Sequence, residues 1–198
     1  MSNFNDRLFY KKLKLITAPN LILNKRVEEF DYEMYDAPQL SVEMIDNMLF
    51  HDGLGLSANQ LNLNARIFVM RKSTGEFITV INPKIISKSE KTLIEIEGCL
   101  SYPNLFLEIP RAKRIQVEYY DENQNKITEV LSGIDARCFQ HELDHLNGVV
   151  FITKVSSLKL QRAKNRAKKE SKNNYTINNS NIMGVHNGTG LKNRIRKI

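Results

Sequence analysis

The sequence contains no tryptophan, only two cysteines and no long run of apolar residues. Its longest uninterrupted apolar stretches, such as residues 67–70, are far shorter than the roughly 18 residues that a membrane-spanning helix needs. Charged side chains interrupt residues 1–15, so no signal-peptide core is expected. These absences predict a protein without a transmembrane helix, located in the cytoplasm or an equivalent reducing compartment.

The two cysteines, Cys99 and Cys138, are too few for a disulfide framework. In a reducing compartment, a structural disulfide between them is less expected than packing or metal binding. Each cysteine therefore needs its own interpretation.

Composition and charge predict one folded body with a basic extension. The 198 residues are 41% hydrophobic and 26% charged, which is ordinary for a globular domain. The net charge of +7 is uneven, because residues 154–198 hold twelve lysines and arginines against one acidic residue, Glu170. We expect a mildly acidic globular body at 1–153, followed at 154–198 by a basic helix and a polar, flexible tail.

Periodicity predicts two helices and a set of strands. A first helix begins near Pro38, with Asp36 as its cap, and ends before Gly53. A second, central helix is predicted at 134–146. Runs rich in β-forming residues predict mostly antiparallel strands at 65–70, 77–81, 91–97, 114–120 and 127–131, and a short closing strand at 149–151. The predicted class is α+β, with antiparallel or mixed sheets around the central helix.

The central helix carries an HExxH pattern, in which His141 and His145 lie one turn apart. Two imidazoles at this spacing can share a divalent metal, and Glu142 beside the first can reach a water on that metal. Cys99, directly after a predicted strand, would complete three protein ligands and leave a fourth tetrahedral position open, as in catalytic sites. The alternatives are a surface helix with two spaced histidines, and a cysteine that packs as a small apolar residue.

A third segment, residues 53–60, combines small residues with the neutral amide of Gln60. Small residues let the backbone approach a ligand closely. The spacing matches neither a dinucleotide-binding GxGxxG nor a phosphate loop. Alone, this loop is equally typical of a helix C-terminus followed by a tight turn.

Together the three segments resemble the signatures of the peptide deformylases. GxGLxAxQ matches residues 53–60, EGCLS matches 97–101 and QHExDH matches 140–145. The resemblance covers roughly residues 10–153. It implies removal of the formyl group from the N-terminal formyl-methionine of nascent polypeptides, with release of formate.

The resemblance also implies a cofactor and catalytic roles. Cys99, His141 and His145 would bind one divalent metal ion, most commonly Fe²⁺, with Zn²⁺, Ni²⁺ or Co²⁺ as substitutes. Glu142 would act as general acid and base for attack by a metal-bound hydroxide. The Gln60 amide and the backbone N–H of Leu100 would stabilise the oxyanion.

Substrate contacts follow from the same resemblance. The backbone at Leu54, Gly55 and Gly98 would pair with an extended peptide. The methionine side chain would enter a pocket beside the central helix, near Ile134 and Cys138.

Some residues depart from the family pattern or stay open. Phe106 stands where many bacterial members carry an arginine near the substrate backbone. This predicts an altered preference beyond the first substrate residue, or reliance on another cation such as Arg111 or Arg137. For Asp144, orientation of the metal-binding histidines and a helix-surface salt bridge are equally compatible with the sequence.

The resemblance also implies ribosomal RNA as a partner for the basic tail. This tail comprises a predicted helix at 158–169 and a last basic cluster at 192–197. Phosphate attraction there would be sensitive to salt, and a solvated charged tail is the alternative. No membrane association is expected, and a monomer is favoured.

Two other functions compete with deformylation. One is a zincin-like metallopeptidase, which Cys99 disfavours because that class normally uses His or Glu as its third ligand. The other is a binding module with a degenerate enzyme body and an RNA-binding tail, which the intact chemical residues disfavour.

Overall fold

The computed structural model describes residues 13–181, and their side chains as far as Lys169. Three α-helices are present in this part of the chain: α1 Ala37–Phe50, α2 Gly133–Leu146 and α3 Ser157–Asn181. The strands are β1 Gly55–Ser57, β2 Ile67–Arg71, β3 Phe77–Lys88, β4 Thr92–Cys99, β5 Tyr102–Ala112, β6 Arg114–Tyr120 and β7 Lys126–Ser132. Short 3₁₀ helices lie at Leu21–Asn24, Ala58–Leu61 and Phe151–Lys154.

The strands form two antiparallel sheets. One has five strands in the order β1-β2-β3-β6-β7, and the other is the hairpin β4-β5. Every strand pair is antiparallel, so the predicted α+β class is confirmed. Cys99 is the last residue of β4 and lies at the turn into β5.

Helix α1 has the predicted N-terminus. The Asp36 side chain accepts a hydrogen bond from the backbone N–H of Gln39, and Pro38 lies in the first turn, where its missing N–H has no cost. One face of the helix, including Leu40, Met44 and Met48, is buried against strands β1 and β2. This packing holds the chain segment that leads into β1.

Helix α2 is buried along most of its length although its sequence is polar. Phe139 packs edge-on against Phe68 of β2, with ring centroids 5.1 Å apart. The Gln140 amide donates to the carbonyls of Ala112 and Ala136 and accepts from the backbone N–H of Ala112. The helix contacts strands of both sheets, so polar side chains on it lie inside the protein.

Three elements differ from the sequence predictions. Strand β1 lies in a segment predicted as a loop, and β5 was not predicted, because Pro103 and Pro110 are typical of chain breaks. The predicted closing strand at 149–151 is wrong. The chain turns there into a 3₁₀ helix, which buries the Phe151 ring beside those of Tyr102 and His141.

Helix α3 contains the predicted basic helix, and its backbone stays helical as far as Asn181, within the segment predicted to be flexible. Its first turns pack on the protein body through Leu160 and Ala163. The predicted basic cluster at 192–197 lies outside the described residues. Within residues 13–181, no helix combines the length and apolarity needed to cross a bilayer.

Gly148, just after α2, tests how tightly the helix end is packed. Its φ is +72°, and a Cβ there would lie 2.7–2.8 Å from backbone atoms of residues 24–26. The φ of Gly133 is also positive, at +58°, but a Cβ at this position would meet no atom of another segment within 4 Å. In urea unfolding, we expect Gly133→Ala to lower the free energy of unfolding by about 1–2 kcal/mol through strain alone, and Gly148→Ala by at least about 3 kcal/mol. Equal losses would contradict this packing.

Candidate active site

The three predicted metal ligands converge although two of them are far from the third in sequence. One potential ligand atom from each of Cys99, His141 and His145 lies within 4.8 Å of the others, and all three side chains are buried. The Cys99 Sγ lies 3.2 Å from Nε2 of His145. The end of β4 and the middle of α2 therefore build one compact donor set that could hold a divalent cation.

Glu97 sets the orientation of the His141 ring. Its Oε2 lies 3.0 Å from the ring Nδ1. Because an ionised carboxylate only accepts hydrogen bonds, Nδ1 carries a proton, and Nε2 is the ring nitrogen that can bind a metal. That buried Nε2 has no hydrogen-bond partner among the described residues, as expected of an atom that binds a metal.

Glu97 is buried yet charged. Burial alone would raise its pKa, but hydrogen bonds from Arg111 and His141 outweigh burial and hold the pKa of Glu97 well below its usual range. Arg111 binds both carboxylate oxygens, through Nε at 2.8 Å and Nη2 at 2.9 Å. The carboxylate is therefore a fixed acceptor for His141.

Burial favours the neutral forms of Cys99 and His145. Burial, with a contribution from the nearby Glu142, raises the pKa of the Cys99 thiol well above its usual range. Burial, with repulsion from His141 and Arg111, lowers the pKa of His145 well below its usual range. A divalent cation would deprotonate the Cys99 thiol and bind the neutral His145 imidazole directly, so these donors fit such an ion.

Glu142 is a buried carboxyl group without a hydrogen-bond partner among the described residues. Burial raises its pKa to about 8, so it can both take up and release a proton near neutrality. A Cβ on Gly55 would lie 2.5 Å from its Oε1 and 2.9 Å from Sγ of Cys138. The absence of a side chain at Gly55 thus lets β1 approach this carboxyl closely.

The Gln60 amide points its N–H group into the site. Its Oε1 accepts hydrogen bonds from both the backbone N–H and the hydroxyl of Ser57, each at 2.9 Å. Its Nε2 therefore faces Ser101 Oγ at 3.1 Å and Cys99 Sγ at 3.7 Å. Asn59 ties the same segment to α2 by donating to the His145 carbonyl at 2.7 Å.

The predicted substrate-contacting residues occupy several positions around this centre. Leu100 is buried in the β4-β5 turn next to Cys99, and Leu54 is partly buried directly before β1. Gly98 is buried in β4. Cys138 is buried one turn before Glu142, whereas Ile134, in the first turn of α2, is 41% exposed.

Opposite Gly98, the partner residue in strand β5 is the partly buried Phe106. The cations proposed in place of the usual arginine are not available to a substrate. Arg111 and Arg137 are 5% and 2% exposed and are committed to internal ion pairs. The expectation that one of them anchors the peptide is therefore wrong.

Asp144 takes part in an internal network. It forms a close ion pair with Arg111, and Lys154 lies 2.9 Å from its Oδ2. Through Arg111 it is connected to Glu97. Asp144 therefore forms salt bridges and also contacts Arg111, which binds the carboxylate that orients His141. Both roles left open by the sequence, a salt bridge and support of a histidine, apply to it.

Sequence reasoning assigned no role to Ser57, Asn59 or Glu97, and it gave Arg111 and Arg137 a role in substrate anchoring instead of their contacts with Glu97. Their roles depend on contacts between segments distant along the chain. One signal was available, because Glu97 is an acid directly before the Gly-Cys pair at the end of a predicted strand.

A buried Cys/His/His donor set, next to an unpaired carboxyl and a fixed amide, is the arrangement of a metal-dependent hydrolase. A family model described as polypeptide deformylase matches residues 12–161. The chain belongs to this family of enzymes, as its sequence motifs predicted.

Curated relatives and solved structures are similar to this chain over most of its length. A peptide deformylase of Thermotoga petrophila is 40% identical over 156 residues, which are 79% of this chain and 86% of the relative. The solved structure of a peptide deformylase from Synechococcus elongatus in complex with actinonin is 33% identical, with a TM-score of 0.73 over 81% of this chain and 88% of that one. The Ehrlichia chaffeensis enzyme, also in complex with actinonin, is 36% identical, with a TM-score of 0.72 over 81% and 98%.

The donor set can be tested with Co²⁺. We expect the reduced protein to bind one equivalent and to show a thiolate-to-cobalt charge-transfer band in the near ultraviolet. Cys99→Ser should abolish this band and weaken binding by more than about 100-fold, because it removes the sulfur ligand. Cys138→Ser is the matched control, since Cys138 is also buried, and it should keep the band. Loss of the band in both variants, or in neither, would contradict the assignment.

Proposed function

We propose that this protein removes the formyl group from the N-terminal formyl-methionine of nascent polypeptides and releases formate. The observation that carries the proposal is the convergence of Cys99, His141 and His145 beside Glu142 in a chain of the deformylase family. This arrangement provides a cation site and a proton-transfer group within one buried centre.

The cofactor we propose is a single divalent ion, Fe²⁺, for which Zn²⁺, Ni²⁺ or Co²⁺ can substitute. When bound to Cys99, His141 and His145, such an ion supplies Lewis-acid chemistry that makes water a usable nucleophile near neutral pH. Glu97 keeps the His141 ring aligned for this purpose, because its Oε2 accepts the hydrogen bond of Nδ1.

Glu142 carries the proton in this proposal. Its carboxylate takes a proton from the water that adds to the formyl carbon. As the C–N bond breaks, the same carboxyl delivers that proton to the departing nitrogen of methionine. Burial raises the pKa of Glu142 to about 8 although the nearby Ser57 hydroxyl and Arg111 lower it, so this carboxyl can take up and release the proton near neutral pH.

Gln60 and Leu100 stabilise the negative charge that develops on the formyl oxygen. The Gln60 Nε2 donor is fixed toward Cys99 because Ser57 occupies the amide oxygen. The backbone N–H of Leu100 is the second donor in this proposal. Each fixed donor of this kind contributes about 3–4 kcal/mol to transition-state stabilisation.

The peptide lies along the backbone at Leu54, Gly55 and Gly98, with its methionine side chain beside Ile134 and Cys138. Gly55 lies close to Glu142, and we propose that a closed pocket over the cation site excludes groups larger than formyl by steric overlap. We propose that Phe106, opposite Gly98, supplies apolar surface instead of a charge and alters the preference for the following residues.

Helix α3 supports a role at the ribosome. Lys159, Arg162, Lys164, Arg166 and Lys169 are all exposed on it. Such a row of cations attracts the phosphates of ribosomal RNA, and we propose that it docks the enzyme where formylated chains emerge.

The Glu142→Gln variant tests the proton transfer. Wild-type protein with Fe²⁺ under anaerobic conditions should release formate from a formyl-Met peptide and leave internal peptide bonds intact. Glu142→Gln should lower kcat/KM by about 10²–10⁴-fold and still bind Co²⁺, because the amide cannot carry the proton. The exposed Glu108→Gln is the matched control and should keep full activity. Internal cleavage would favour the metallopeptidase, and absence of formate release from wild type would favour the binding module.

The docking proposal is tested by neutralising exposed cations on α3. A Lys164→Gln, Arg166→Gln, Lys169→Gln triple variant should bind ribosomes more weakly in sedimentation at increasing salt. Its log–log salt slope should be smaller by about 2–3, because three phosphate contacts are lost. Formate release from a free peptide should stay unchanged. Equal ribosome binding by the variant and the wild type would reject docking through this face.

A further inference from the structure

We propose that Arg137 is a positioning residue: it fixes the distance between the strand that carries Cys99 and the helix that carries His141 and His145. It acts through Glu97 and through the backbone of the β4-β5 hairpin. The inference rests on the proposed function only in taking these three side chains as metal ligands.

The first observation is that Glu97 has no acceptor capacity left. Its Oε1 accepts from Arg111 Nε at 2.8 Å and from Arg137 Nη1 at 2.6 Å. Its Oε2 accepts from Arg111 Nη2 at 2.9 Å and faces His141 Nδ1 at 3.0 Å. A carboxylate offers about four lone-pair positions, so all of them are used and the group cannot turn without losing a contact.

The second observation is that Arg137 binds the hairpin backbone directly. Nη1 also donates to the Ile109 carbonyl at 2.9 Å, and Nη2 donates to the Leu93 carbonyl at 2.8 Å. Leu93 lies in β4 and Ile109 in β5. The planar guanidinium therefore holds helix α2 against both strands of the hairpin at once.

Charge balance does not explain this arginine. Arg111 alone already pairs with both oxygens of Glu97. The partly exposed Glu95 lies 2.9 Å from Arg137 Nε and balances its charge. The second buried guanidinium on this carboxylate therefore fixes geometry, because its planar fork binds four acceptors on Glu95, Glu97, Leu93 and Ile109, whereas an ammonium group has only three donors.

Arg137 stands one helical turn before His141, and Glu97 stands two residues before Cys99. A shift between β4 and α2 would therefore change the Arg137–Glu97 contact and the spacing of the ligand atoms together. This makes Arg137 a determinant of cation affinity although it lies outside the donor set.

The test compares Arg137→Lys with Glu95→Gln. Glu95→Gln removes the charged partner of Arg137 at the surface but leaves its contacts with Glu97, Leu93 and Ile109. Cobalt affinity is measured by chelator competition, together with the visible cobalt spectrum and the melting temperature of the cation-free protein. We expect Arg137→Lys to weaken Co²⁺ binding by about 10–100-fold and to shift the visible bands, because the ligand geometry changes. Glu95→Gln should stay within about twofold of wild type.

An Arg137→Lys variant that melts earlier but binds Co²⁺ within twofold of wild type would overturn the proposal, since Arg137 would then support the fold alone. If the lysine variant does not fold, Arg137→Gln is measured against the same criterion. Failure of both variants to fold would also overturn it. Formate release is assayed separately: wild type that binds Co²⁺ without releasing formate would contradict the proposed function and leave the affinity comparison valid.

Discussion

One buried carboxylate, that of Glu97, holds the site together. Burying an unpaired charge is strongly unfavourable, so Glu97 needs donors wherever it lies inside the protein. Those donors come from β5 through Arg111 and from α2 through Arg137 and His141. The interaction that compensates the buried charge therefore also joins the hairpin to the helix, and it brings Cys99 next to the two histidines.

Around this satisfied anion, several buried polar atoms have no hydrogen-bond partner among the described residues. They include Nε2 of His141 and both carboxylate oxygens of Glu142. A buried polar atom needs a hydrogen-bond or metal partner to compensate for its lost hydration. The concentration of these atoms beside Cys99 is understandable if their partners are a cation, water and substrate. In contrast, the Gln60 amide has a fixed orientation, because its oxygen accepts a hydrogen bond from the Ser57 hydroxyl.

Local sequence patterns predicted those elements whose conformation depends mainly on residues close in sequence. The Asp36 cap and the helical spacing of the two histidines were sufficient to locate α1 and α2. Strand β5 was missed because Pro103 and Pro110 normally indicate a break in a strand. Both residues lie in a strand here because β5 pairs with β4 in a two-stranded sheet. The segment 149–151 was read as a strand, but burial of the Phe151 ring decides its conformation. The Cys/His/His set was predictable from motif letters, whereas the arginines behind it were not, because their partners lie in distant segments.

The first turns of α3 are part of the packed interior of the protein. Ala163 belongs to the same buried apolar cluster as Cys99, Leu107 and Phe151, and the partly buried Leu160 packs against it. These residues follow helix α2 in the sequence and pack on the cluster to which Cys99 belongs. Removing these turns would uncover part of this cluster, so helix α3 contributes to the core as well as presenting a cationic surface.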